Sequence, residues 1–464
     1  MNFNANGASN INIAYIGGGS RGWAWSLMSD LAMEENMSGT VRLYDIDFNA
    51  AKDNETIGNS LYNMDEVKGK WKYEAVRTLE EALSGADFVI ISILPGTFKE
   101  MQSDVHEPEK YGIYQPVGDT IGPGGIVRAL RTIPMFIEIT ENIKKYSPNA
   151  WVINYTNPMT ICVRTMYEVF PGIKAIGCCH EVFGTQKLLM HALKEIKGIN
   201  AESKDSIKVN VLGINHFTWL DSASYKNIDL MPVYKEFVDK YYETGYLENK
   251  EENWIKNTFV CAHRVKFDLF RRYGIIAAAG DRHLAEFVPG TWYLKDPETV
   301  HYWKFGLTPV SWRLKDLENR LEKSKNLVSG KIKFTLKQSG ELGVKIIKAL
   351  LGFRELITNV NFVNRGQAPD LPKGSIVETN ALFSRDSVRP LFAGCLPEGV
   401  RSLVEPHLAN HEIILDAAIH KDKNKAFTAF INDPQLSRIS LDDAWELFNS
   451  MLANTKDYLP GWDI

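Results

Sequence analysis

INIAYIGGGSRG at 11–22 decides the fold. Residues 11–16 read as a buried strand that runs straight into a glycine turn, and Gly22 to Met33 then reads as a helix. Gly17, Gly19 and Gly22 fit G-x-G-x-x-G. In that pattern the first glycine permits the tight turn, the second lets the backbone approach a pyrophosphate, and the third lets helix and strand pack closely. Ser20 and Arg21 lie inside the turn, and the helix N-terminus behind it offers free N–H groups and a positive dipole end. VRLYDID at 41–47 is the next strand, and Asp45 near its end stands 23 positions after Gly22. An acid there binds the ribose 2′-OH and selects NAD over NADP; Asp47 is the alternative. A glycine triplet alone also marks ordinary tight turns, but strand, glycines, helix, strand and acid occur here in order.

Outward from this unit, strands keep alternating with helices. ADFVIISIL at 86–94, AWVINYTNP at 150–158 and IKAIGCC at 173–179 read as strands, and Ile126 to Tyr146 as a helix that Pro134 kinks or bounds. The reading is α/β, with a parallel Rossmann sheet over residues 1–200. Ser92, Pro95 and Gly96 end the third strand, where ligands of such sheets lie. From about 201 to 464 the character changes to a mixed α+β domain for substrate, metal and oligomer contacts. IKVNVLGINHFTWLDSAS at 207–224 alternates like antiparallel strands, 230–275 and 310–352 read as charged amphipathic helices, and 414–431 and 441–452 as closing helices. A formal charge of −4 gives no argument for nucleic acid or an anionic membrane as partner. No apolar run approaches the ~20 residues of a membrane helix, and MNFNANGASN lacks the pattern of a signal peptide. Five cysteines in 464 residues make no disulfide framework, so the chain reads as a reduced cytoplasmic protein with thiols free for chemistry.

Cys178–Cys179–His180–Glu181 follows a strand and sits at the mouth of the sheet. A thiolate among polar groups is metal-competent, whereas a core cysteine is inert; Cys162, Cys261 and Cys395 are read as core residues. His216 lies in GINHFTW, and imidazole suits Mn, Fe, Co, Ni or Zn better than Mg or Ca. One Cys and one His leave positions open for substrate oxygens, although a lone His is often a hydrogen-bonded core residue. Asn154 and Asn157 flank NYTNP, where they can fix the turn or face ligands; Asn154 is counted with the cofactor site. VGDTIGPGGIVRALRTIP at 117–134 is a glycine-rich loop opening a helix, of the kind that closes over cofactors or merely connects. In GDRHLAEF at 280–287, Asp281 is both a good helix N-cap and a candidate general base.

Taken together, GGGSRG, ALRTIP, NYTNP, CCHEVFG, GINHFTW, GDRHLAEF and FVNRGQAPDLPKGSIVETNALF at 362–383 resemble glycoside hydrolase family 4 over most of the chain. The resemblance implies a fold like lactate and malate dehydrogenases, with NAD and usually Mn²⁺ required to hydrolyse glycosides, a known exception to the two-carboxylate mechanism. It implies C3 oxidation, C2 deprotonation, elimination, water addition and re-reduction. It places Cys179 and His216 as metal ligands, His180 as general acid, Asn157 as a substrate-binding residue, and Asp281 near the position of the base, with Tyr273 the alternative where members use tyrosine. CHEV resembles the α-galacturonidase branch, with α-glucuronidase and α-galactosidase as rivals within the family. A uronate carboxylate wants a planar cation, for which Arg272 and Arg282 are candidates, while Glu181 meets hydroxyls or orients His180. Relatives imply a homodimer or homotetramer. The competing classes are an NAD-dependent 2-hydroxy-acid dehydrogenase, which needs no thiolate, and a non-catalytic NAD sensor, which tolerates loss of Cys179 and His216.

Overall fold

Strands with both faces apolar form where a parallel sheet is covered by helices on both sides. Phe88–Ile91 and Trp151–Asn154 are buried along their whole length for this reason. The computed structural model describes residues 1–4, 7–249, 251 and 253–464. In chain order the first strands are β1 (Asn2–Asn4), β2 (Gly7–Ile16), β3 (Met37–Tyr44), β4 (Trp71–Val76), β5 (Phe88–Ile91), β6 (Trp151–Asn154) and β7 (Lys174–Gly177). From β2 to β7 they pair in parallel in the order β7-β6-β5-β2-β3-β4. That is the Rossmann order, and its reversal point lies between β2 and β5, beside the glycine turn.

The second half begins with the hairpin β8 (Ile207–Ile214) and β9 (Phe217–Tyr225), antiparallel as its alternation predicts, with β10 (Ile228–Asp229) and β11 (Ile276–Ala277) completing a four-stranded sheet. The chain then returns to the first sheet. β12 (Leu356–Val363), β13 (Ile376–Ser384) and β14 (Ser387–Pro390) extend it antiparallel beyond β7 to ten strands. This return brings β12 and β13 beside the mouth of the Rossmann sheet.

Several local expectations change. The helix Gly122–Tyr146 runs through Pro134 without a boundary. Burial of Ile126, Val127, Leu130, Ile133 and Phe136 outweighs the ~3 kcal/mol that an interior proline costs. The stretch 310–352 is helical only at Val310–Val328 and Gly343–Leu350. Between these helices, Ser29 Oγ donates to the Lys337 carbonyl and Asp30 accepts the Ser339 amide, so the segment is tied to the first helix by hydrogen bonds instead of its own. Within 230–275 the helices are Met231–Tyr241 and Arg264–Tyr273; residues 250 and 252 of that stretch lie outside the described residues. Cys395 is exposed and Cys261 half-buried, so only Cys162 of that trio is a core residue. Among the described residues no helix is long and apolar enough to cross a membrane.

The glycine-rich loop before Gly122–Tyr146 is pinned by the segment 281–287. Glu286, fully buried, accepts the amides of Val117 (2.7 Å) and Gly118 (2.9 Å) on Oε1, while its Oε2 has no partner. Burial pushes its carboxyl from 4.5 up to about 8, against those two amides, which favour the ion. A raised carboxyl holds its proton in the folded state, so its stabilising contribution is full below pH 4.5 and is lost as pH rises through about 8. Urea unfolding across that window is expected to show stability falling with pH at up to about 1.4 kcal/mol per unit from this group. Glu286→Gln keeps the acceptor and removes that slope; an unchanged slope in the variant refutes the assignment.

Candidate active site

The dinucleotide end follows from backbone geometry. Gly17 has φ +92°, and a Cβ there would lie 2.1 Å from the Ser92 carbonyl oxygen; at Gly19 it would lie 2.7 Å from Ala50 Cβ and 2.8 Å from Asp45 Oδ2. Only glycine fits this cradle. Asp45 accepts the Gly19 amide at 2.8 Å and the Asp47 amide at 2.9 Å, which sets its carboxylate at the turn. Asp47 instead caps the helix Phe48–Ser60. Ser20 Oγ accepts the Trp23 amide at the helix start. Arg21 lies 3.9 Å from Asp53 and keeps a buried Nε without a partner, a donor suited to a phosphate oxygen. Asn154 spends its side chain on its own turn, accepting the Thr156 amide and donating to the Thr156 carbonyl.

At the sheet mouth, Asp119, His216 and His283 bring ligand-type atoms within 4.8 Å of one another. Asp119 comes from the pinned loop, His216 from the β8–β9 hairpin, and His283 from the helix Asp281–Leu284. His216 takes φ +63° at the hairpin tip, a left-handed conformation that costs ~1–3 kcal/mol for a residue with a side chain. Its ring stacks on His283 with centroids 3.8 Å apart. Thr120 Oγ1 donates to Asp119 Oδ1 at 2.7 Å and sits 2.9 Å from His216 Nδ1. With the hydroxyl proton committed to Asp119, His216 Nδ1 is the donor to Thr120, a tautomer assigned from the network. The Nε2 lone pair is then free, the arrangement by which a carboxylate orients a metal-binding histidine. Burial and His283 push His216 down to about 3, so the ring is neutral at pH 7.

Asn157 aims its Nδ2 at Asp119 (3.3 Å), and its Oδ1 is buried without a partner. Arg128, also buried, donates Nε to the Asn157 carbonyl. Burial raises the Asp119 carboxyl, but Arg128, the facing His283 and His216 and the Thr120 hydroxyl together outweigh it and hold the group well below the usual range. Glu181 accepts the Gly280 amide at 2.7 Å and lies 4.0 Å from His283 Nε2. Burial opposes its ionisation, yet the facing histidines and that amide bring it to about 2. His180 is half-exposed at the rim, with Nδ1 3.4 Å from Glu341.

Cys179 is 7% exposed just after β7, with its sulfur beside the side chain of Asn215, the residue before His216. Burial, then the charges of Glu378 and Glu181, push the thiol well above its ordinary value, so a thiolate there requires a cation. Glu378 on β13 ties the arms together. It accepts from Asn215 at 3.3 Å and from Asn359 at 2.7 Å, and Asn359 also donates to the Cys179 carbonyl. Asp119, the pre-oriented His216 and His283 make a donor set suited to a divalent transition metal, and Cys179 is tied to it through Asn359, Glu378 and Asn215.

The expected base and cations lie elsewhere. Asp281 does not join this cluster: its carboxylate accepts the amides of Val265 and Lys266 at the start of the helix Arg264–Tyr273, on the far side of its own turn. Tyr273 packs edge-on against Trp219. Arg272 pairs with Asp268 at the surface. Arg282 donates to the Pro116 carbonyl and to Thr308, so it faces the loop and not the imidazoles. The residues that motif reading missed are Asp119, Thr120, His283, Asn215 and Glu378. All lie inside stretches it singled out, but nothing in the sequence marked which way they point.

A dinucleotide-type sheet with a thiol and an oriented imidazole at its mouth is the site of a cofactor- and metal-dependent enzyme. The chain belongs to the glycosyl hydrolases of family 4: it matches Family 4 glycosyl hydrolase over residues 12–195 and the family's C-terminal domain over 211–436. It is 66% identical over 454 residues to the alpha-galacturonidase of Thermoanaerobacterium saccharolyticum, covering 98% of this chain and 97% of that one. The crystal structure of lplD from Bacillus subtilis superposes with a TM-score of 0.91 at 56% identity, covering 96% of this chain and all of that one. A 6-phospho-alpha-glucosidase from gut microorganisms, solved with NAD and Mn²⁺, shares the fold at a TM-score of 0.79 and 18% identity, covering 98% of this chain and 100% of that chain.

Glu378→Gln puts a donor against one of the two asparagine amides. Mn²⁺ affinity measured by calorimetry is expected to fall roughly 10–100-fold, the range seen for partners that orient metal ligands. Wild-type affinity in this variant removes Glu378 from the site.

Proposed function

We propose that this chain is an NAD- and Mn²⁺-dependent α-galacturonidase. The observation that carries the reading is 66% identity, over nearly the whole length of both chains, to a protein of that name. When bound, the dinucleotide supplies a reversible oxidation at the sugar's C3 and the divalent metal polarises the oxygens at C2 and C3.

The chain's own residues do the rest. Gly17, Gly19, Ser20, Arg21 and Gly22 cradle the pyrophosphate, Asp45 meets the ribose, and Asn154 keeps the β6 turn in shape beside it. Cys179 and His216 hold the cation, with Asp119 and Thr120 fixing the imidazole. The orphaned Asn157 Oδ1 accepts from a sugar hydroxyl. His283 removes the C2 proton: burial keeps its ring neutral, its Nδ1 is buried without a partner, and Glu181 lies on its Nε2 side to stabilise the imidazolium once formed. His180, held at the rim by Glu341, gives a proton to the leaving glycosidic oxygen. Arg282, which holds the Pro116 carbonyl and Thr308, keeps the loop before Asp119 in place beside the sugar. Residues 1–200 carry the cofactor cradle together with Asn157, Cys179 and His180, and 201–464 completes the substrate and metal site and makes the oligomer contacts. All five cysteines are free, which fits a reducing cytoplasm, and the working assembly is a homodimer or homotetramer.

The deciding assay is a panel of p-nitrophenyl α-galacturonide, α-glucuronide and α-galactoside with NAD⁺, Mn²⁺ and reductant. The galacturonide is expected to be cleaved, and only with all three additions; turnover that persists after both chelation and NAD removal ends the reading. His283→Ala is expected to lower kcat ~10²–10⁴-fold and to stop washout of a C2 deuterium into solvent while leaving NAD binding intact. Washout at the wild-type rate gives the base role to another group.

A further inference from the structure

We propose that Cys261, His263 and Asp281 form a second divalent-metal site, of zinc type, that clips the chain just before the helix Arg264–Tyr273 to the turn carrying His283. Their ligand atoms lie within 4.8 Å of one another, in a cluster separate from Asp119, His216 and His283. Cys261 Sγ and His263 Nδ1 lie 3.9 Å apart. A tetrahedral zinc with Zn–S of about 2.3 Å and Zn–N of about 2.05 Å needs these atoms about 3.6 Å apart. A shift of a few tenths of an ångström therefore closes the site around an ion. Three protein ligands of three chemical kinds leave one position for water, and the half-buried Cys261 and His263 give access from solvent.

The surroundings favour a metal over a bare thiol–imidazole contact. The Cys261 sulfur lies beside the backbone of His263 and Asp281, which favours a thiolate. Burial nevertheless pushes that thiol up to about 12, so it ionises at neutral pH only against a cation. Charge also balances. The buried Lys266, which donates to Thr185, faces Asp281 first, then Cys261 and Glu181, so a dication and this ammonium together meet the thiolate and the two carboxylates. His263 holds φ +60° at the start of the helix Arg264–Tyr273, a strained conformation that turns its ring back toward Cys261.

The mechanical consequence follows from topology. Among the described residues, 242–263 has neither helix nor strand between Met231–Tyr241 and Arg264–Tyr273. Asp281 stands two residues before His283. An ion at this place joins the end of a long irregular connection to the element that carries the imidazole, as a cross-link that limits loop opening.

The test uses the full-length chain with Cys179→Ser and His216→Ala, which disarm the active-site donors. The protein is stripped with chelator and titrated with Co²⁺ under a non-thiol reductant. One equivalent is expected to bind with a thiolate-to-cobalt charge-transfer band and tetrahedral ligand-field bands, to be displaced by Zn²⁺, and to raise the midpoint of thermal unfolding. Adding Cys261→Ser, or separately His263→Ala, should abolish the bands and the thermal shift while circular dichroism stays native. Should one of these fail to fold, the other decides. No bound equivalent, or bands that survive in a folded variant of either residue, overturns the proposal.

Discussion

The buried contact between the glycine-rich loop and the 281–287 segment sets everything else. Glu286 holds the amides of Val117 and Gly118, and Arg282 holds the carbonyl of Pro116. A loop whose backbone groups are satisfied by side chains from a distant element has one position, because each bond released in a buried place leaves a polar group unpaired. Asp119 and Thr120 follow directly on that pinned backbone, and His283 projects from the segment that pins it. The contact that fixes the loop thereby sets the distance between the groups that orient His216 and the imidazole stacked upon it.

Electrostatics then sorts the titratable groups into tasks. Arg128 and its neighbours together keep Asp119 ionised despite burial, while burial keeps His216 and His283 neutral. Neutral imidazoles can bind a cation or take a proton; protonated ones can do neither. Burial keeps Cys179 a thiol, and only a cation beside it offsets the charge a thiolate would bury. The strained turn at His216 belongs to the same economy, since the hairpin tip accepts an unfavourable φ in order to place Nε2.

The return of β12 and β13 to the Rossmann sheet makes one site out of two halves. Glu378 reaches Asn215 on the hairpin side and Asn359 on the cysteine side, so the thiol and the imidazole are positioned against a common buried carboxyl. Cys261, His263 and Asp281 gather on the opposite side of the turn that carries His283, within one short stretch of chain. Support for the site comes from both directions, through hydrogen bonds on one side and through a metal-type donor set on the other.

Much of this was legible in the chain itself. The glycine spacing, Asp45, the alternation of strands and helices and the β8–β9 alternation marked the Rossmann half and its glycine turn, and the resemblance of CCHEVFG and GINHFTW singled out Cys179 and His216, because those features depend on local backbone geometry and short-range pattern. The helical stretch at 310–352 was misread in its middle, because residues 331–341 find their hydrogen bonds in the first helix and not along themselves. Asp281 illustrates the limit most sharply. Its motif carries a titratable cluster, but adjacent side chains on a short helix point in different directions, and packing sends His283 to His216 while Asp281 caps another helix. Sequence alone therefore determined which segments bear the chemistry. The tertiary structure decided which side chain of each segment faces the site, because that choice depends on contacts between residues far apart in the chain, and spacing along one strand or helix does not encode it.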